Sequence, residues 1–151
     1  MNDNEKKLLS EYLSSQKLMS LATSDGKGNL WSANVFFCHD KDLNIYFMSA
    51  PDSLHSQFIS VNKRVSFTIC DSDQDEVSGK VGLQASGICE HISGSRDVKE
   101  LLPIWNEKFP KKPAPPMETF MANSPLYKVT VKRIKFFNED AFDGKVREWG
   151  L

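Results

Sequence analysis

Between Ser32 and Cys70 the chain alternates short runs of β-branched and aromatic residues with turn formers, and this stretch restricts the fold more than any other. Ser32–Phe37 reads as a strand, His39–Asp40–Lys41–Asp42 as a turn, and Leu43–Ser49 as a second strand. Pro51 breaks the chain, a helix opens at Ser53, and Val65–Cys70 is a third strand. Such runs fit a pleated, half-buried sheet, and connections this short join antiparallel neighbours. The stretch also carries a ligand signal. Four residues after a strand ends in Ser49, Ser53 starts a helix whose first turn holds His55. Exposed backbone N–H groups at a helix start, with hydroxyls beside them, form a natural anion seat. A plain helix cap at Asp52 or Ser53 is the bland reading of the same residues, and Asp52 would have to point away from any anion.

The flanking sequence extends this pattern. Asn4 or Asp3 caps a first helix carrying Leu8, Leu9, Tyr12 and Leu13 as one stripe and ending near Ser15. Lys17–Thr23 alternates as a strand, and Ser24–Asn29 is a hairpin turn rich in residues that tolerate positive φ. Gly26-x-Gly28 is no dinucleotide fingerprint, since Trp31 occupies the third glycine's place and a strand follows. Lys80–Ile92 is a long strand with Val81, Leu83, Ala85, Gly87 and Cys89 on one face; Gly87 marks a bulge or the close approach of another backbone. Arg96–Phe109 is helical with Pro103 inside it, the proline-rich run from Phe109 to Pro116 is extended, and Met117–Ala122 is read as a short helix. Leu126–Phe137 is the last clear strand, with Lys128, Thr130 and Lys132 on its solvent face, and a turn plus a final strand closes the chain near Trp149. Six or seven hairpin-linked strands with a helix in front describe a mainly β fold, an antiparallel barrel with peripheral helices.

Size and charge narrow the function. A chain of 151 residues favours one domain, 1–151, with a real core. A net charge of −1 gives no field for nucleic acid or an anionic membrane. No apolar run reaches the roughly 20 residues of a membrane helix, and Met1–Lys7 resembles no signal peptide. Cys38, Cys70 and Cys89 lack C-x-x-C spacing and read as buried, reduced thiols of a cytoplasmic protein. His39, His55 and His91 are scattered singly, so no metal site is expected, and the His39–Asp42 turn reads as a solvated hairpin. No G-x-S-x-G occurs, Cys38 and His39 alternate across a strand, and no catalytic side chain emerges.

Five pieces taken in order carry a resemblance: Met19–Thr23, Trp31–Phe37, Ile45-Tyr46-Phe47-Met48-Ser49-x-x-x-Ser53-x-His55, Asn62-x-x-Val65 and Leu83-Gln84-x-x-Gly87. From about Lys17 to Glu90 the chain resembles the FMN-binding split-barrel family, the pyridoxamine 5′-phosphate oxidase-like flavoproteins. The resemblance implies a six-stranded split β-barrel that forms a homodimer with FMN at the interface, a flavin-dependent oxidoreductase acting on a small molecule. It implies that Ala33, Asn34, Val35 and Phe36 run beside the flavin ring. Met48, Ser49, Ser53 and His55 would surround the phosphate, Gln84 would come from a neighbouring strand or the partner chain, and Trp105 or Trp149 would cover the ring. The oxidase itself has arginine where this chain has Ala33, and lysine where it has Cys38 and His55. Each lost charge-assisted bond weakens phosphate binding by roughly 1 kcal/mol or more. The competing expectation is a non-catalytic module that binds flavin or haem as a sensor or carrier.

Overall fold

A computed structural model describes residues 1–74, 77, 79–92, 95–110 and 125–151, with only the backbone of 95–98. The order of elements is α1 (Asp3–Ser15), β1 (Leu18–Ser24), β2 (Leu30–His39), β3 (Ile45–Met48), α2 (Leu54–Val61), β4 (Arg64–Cys70), β5 (Val81–Ile92), α3 (Ser95–Lys108), β6 (Leu126–Asn138), α4 (Glu139–Phe142) and β7 (Val146–Gly150). The short helix expected over Met117–Ala122 lies outside the described residues.

All strand pairs are antiparallel. They run β3-β2-β1-β4-β5-β6, and β3 then pairs with β6 to close a six-stranded barrel. β6 is long enough to serve twice: Leu126–Val129 pairs with β3, while Arg133–Phe137 carries β7 on the same edge. Alternation sets the inside. In β4, Val65, Phe67 and Ile69 are buried while Arg64, Ser66, Thr68 and Cys70 face out. Phe37, Phe47, Phe136, Leu21, Ile69 and Leu83 fill the interior, joined by Leu9 and Leu13 of α1.

The two tight hairpins share one device. Asp25 Oδ1 accepts from the backbone of Lys27 and Asn29, and its Oδ2 from Asn29 Nδ2. Asp40 does the same for Asp42 and Asn44, and also accepts from the Tyr46 hydroxyl at 2.8 Å. That second carboxylate supports Leu43, which adopts a left-handed φ of 64° while its side chain is buried, so β3 begins at Ile45 rather than at Leu43. Gly87 sits at a bulge where Ser86 faces Arg133 but Gly87 faces Val131. A Cβ there would lie 2.4 Å from the Thr130 carbonyl oxygen, so both readings of this glycine hold.

Two local expectations are corrected. The cap of α1 is Asn2, not Asp3 or Asn4: its side chain accepts from Glu5 N–H, and the Glu5 carboxylate accepts from Asn2 N–H. Cys38 and Cys89 are buried, but Cys70 is exposed, because β4 ends with its outward face at that position.

Candidate functional site

The corner between β3 and α2 gathers three side chains from the sequence-predicted set. Ser53 is the N-cap of α2, and its hydroxyl accepts from Ser56 N–H. His55, one residue into the helix, is buried, and its Nε2 lies 2.5 Å from Ser49 Oγ and 3.2 Å from Ser53 Oγ. The two serine hydroxyls are 3.1 Å apart, and Ser56 Oγ is 2.8 Å from Ser53 Oγ. Burial holds the His55 pKa below its ordinary 6.5. Burial thus favours the neutral ring, and an anion placed among these groups would raise that pKa. Asp52 is exposed; its backbone carbonyl accepts from Gln57.

A second feature lies along β2. This strand pairs with β1 from Leu30 to Phe36, but with β3 only from Phe37 to His39. Among the described residues, Leu30–Phe36 thus keeps an edge without a strand partner, where backbone donors and acceptors are available to a ligand. Ala33, Asn34, Val35 and Phe36 all lie on this stretch, with unlike side chains. Val35 is buried in the barrel and can offer only backbone. Asn34 faces outward and takes a 2.7 Å bond from Ser20 Oγ, and Phe36 is 54% exposed. Phe109 meets Phe36 edge-on at 5.6 Å and Trp105 packs on Phe109 at 4.8 Å, so the end of α3 stands beside this edge.

The remaining predicted residues do not all converge. Register places Asn34, Ser20, Thr68 and Gln84 in one row across β2, β1, β4 and β5. Three strand spacings of about 4.8 Å separate Asn34 from Gln84, so the two side chains do not meet within a single chain. Met48 packs against the small cluster around Cys38, Tyr46, Leu101 and Leu126. Trp105 joins that cluster, whereas Trp149 packs on the main core opposite Ile134.

Sequence reasoning missed three features. Lys108 donates to the Leu13 carbonyl at 2.8 Å and lies 3.8 Å from the Phe37 ring centre; no local pattern links α3 to α1. His39 Nε2 is 3.0 Å from Ser10 Oγ, and burial and the nearby Lys108 charge lower its pKa to about 4. A cleft of about 590 Å³ opens between α2 and the paired ends of β5 and β6, lined in part by Ser56, Gln57, Lys63, Cys89 and His91. Lys63 is held there by Glu90 at 2.7 Å. No group of three or more metal-ligating side chains occurs among the described residues. No described helix is long and apolar enough to cross a membrane.

A closed six-stranded antiparallel barrel, with an open edge on one strand and a hydroxyl–imidazole corner at a helix start, defines a split-barrel protein. A family model described as pyridoxamine 5′-phosphate oxidase matches residues 6–138, and the chain belongs to that family. No curated protein matches the sequence. Among solved structures, the chain is similar to Campylobacter jejuni ChuZ, with a TM-score of 0.78 at 17% identity over 99% of this chain and 61% of that one. A haem-binding protein from Mycobacterium smegmatis gives a TM-score of 0.76 at 12% identity over 99% of this chain and 59% of that one. HutZ, a haem storage protein from Vibrio cholerae, gives 0.65 at 13% identity over 83% of this chain and 89% of that one. The chain thus spans about three fifths of the first two. At these identities the likeness concerns the fold.

Proposed function

We propose that this chain is a cytoplasmic homodimeric flavoprotein that binds FMN between two barrels and acts as an oxidoreductase on a small molecule. The observation that carries the reading is the meeting of Ser49, Ser53 and His55 at one corner, 2.5–3.2 Å apart, at the start of α2. Hydroxyls that can donate, an imidazole that can take up a proton, and helix N–H groups suit a phosphate. The unpaired edge of β2 suits the polar rim of a flavin ring, with Asn34 adding an amide and Phe36 an exposed aromatic face. Gln84 lies three strands from Asn34, and its role in this reading is to complete the ring site from a second copy. The outer wall supports pairing through the exposed apolar side chains of Leu18 and Phe36.

When bound, FMN supplies the hydride or electron transfer, and the protein supplies position and electrostatics. The chain's own groups hold the phosphate, set the ring against β2 and shield one face. No side chain is assigned as a catalyst. The test is thermal unfolding with and without FMN. A flavin at about 100 times its Kd stabilises by roughly 2.7 kcal/mol, which raises Tm. An unchanged Tm, together with no bound flavin after gel filtration, would overturn the reading. Multiple turnovers with NADH or NADPH would separate an oxidoreductase from a passive carrier. The second reading is a haem module, favoured by the haem-binding neighbour from Mycobacterium smegmatis and the haem storage neighbour from Vibrio cholerae. A sharp Soret band on adding hemin, without flavin binding, would select it.

A further inference from the structure

We infer that the cleft beside α2 receives an adenylate linked to the flavin phosphate, so that FAD binds this protein more tightly than FMN. The inference rests on the proposed phosphate seat at Ser49, Ser53 and His55 and extends it by one side chain. Ser56 is the bridge: its hydroxyl is 2.8 Å from Ser53 Oγ, and the same residue lines the cleft. Pro51, between Ser49 and Ser53 in the chain, also lines the cleft, so the cleft adjoins the corner. At about 590 Å³ the cleft lies within the range of roughly 300–1,000 Å³ typical of small-ligand sites.

The lining mixes apolar residues such as Ile59, Ile92 and Pro125 with polar groups suited to a nucleotide. His91, exposed at the rim, offers its ring as a face on which a purine can stack, with the buried Tyr127 ring tilted against it at 5.8 Å. Lys63 supplies a cation for the second phosphate of a pyrophosphate bridge. Glu90 opposes an anion and is bonded to Lys63 at 2.7 Å. Its carboxylate suits ribose hydroxyls instead, the role an acidic residue plays in dinucleotide sites. On the α2 side, Gln57 Nε2 is tied to the Asp52 carbonyl, which leaves the amide oxygen of Gln57 as an acceptor for an exocyclic amine. The seat alone explains none of these groups, because FMN ends at its phosphate.

The experiment titrates the full chain with FMN, FAD and AMP, following flavin fluorescence and the displacement of AMP. The expected result is that FAD binds about tenfold or more tightly than FMN, the scale of one stacked base. FAD would displace AMP, and FMN would not. His91→Ala and Lys63→Ala, both at exposed positions, would each narrow the ratio between the two flavins, with an unchanged Tm excluding misfolding. Equal affinity for the two flavins, or AMP that stays bound after FAD saturates the protein, overturns the adenylate site while leaving FMN binding intact. If neither flavin binds, the reading of the phosphate seat has failed as well, and the two failures are distinct.

Discussion

Lys108 gives the fold a pH dependence that can be worked out in sign and size. It ends α3 with its ammonium 3.8 Å from the centre of the Phe37 ring and bonded to the carbonyl of Leu13, in the last turn of α1. Burial lowers its pKa from 10.5 to about 8, against a smaller opposing effect of Cys38. Between those two values the unfolded chain holds the proton and the folded chain releases it, so stability rises with pH through this window. The full gap corresponds to about 3.4 kcal/mol; the side chain is only partly buried, and water screening reduces the expected effect to about 1–2 kcal/mol. The perturbation is Lys108→Met, which keeps the alkyl stem and removes the titrating group. Urea unfolding of both proteins from about pH 7 to about pH 10 gives the difference in stability at each pH. Groups common to both proteins cancel, including Tyr12, whose hydroxyl is also pushed up by burial. The wild type should gain about 1–2 kcal/mol on the variant across this range. A flat or falling difference would show that Lys108 is solvated and would refute the packing described for α3.

Three further outcomes are expected. Gly87→Ala places a methyl 2.4 Å from the Thr130 carbonyl oxygen, which should destabilise by about 1–3 kcal/mol and lower Tm by several degrees; an unchanged Tm would mean that the bulge yields freely. Asp40→Ala removes the acceptor of four turn bonds, one of them from Tyr46, and should cost roughly 2–4 kcal/mol in urea unfolding, more than Asp25→Ala in the exposed turn. His55→Ala should weaken FMN binding about tenfold or more at pH 6 and less at pH 8, because an anion raises the His55 pKa and draws in a proton. An identical pH profile in wild type and variant, measured by fluorescence titration, would remove His55 from the phosphate seat.

Local features of the fold could be read from the residues, and long-range ones could not. The alternation of Arg64–Cys70, the Asp–Asn hairpins and the bulge at Gly87 are determined within a few residues or by steric demand at one backbone position. The closure of β3 on β6 joins residues about 80 positions apart, such as Ile45 and Val129, and carries no local signature. The same holds at the site. Ser49, Ser53 and His55 lie within seven residues and meet as their spacing implies, whereas the open edge of β2 exists because β3 is short. Gln84 illustrates the limit: its outward direction follows from alternation, but its distance from Asn34 depends on strand order. Asn2, Asp3 and Asn4 are equally good capping residues by type, and the reciprocal bond with Glu5 distinguishes Asn2.

The most direct measurement is the stoichiometry and mass of the protein with FMN, by absorbance combined with light scattering. Two chains carrying two flavins, with shifted flavin bands, is the result expected from a phosphate corner in each chain and a ring site completed by the other. A single chain at all protein concentrations, or a dimer that leaves FMN in free solution, would contradict it.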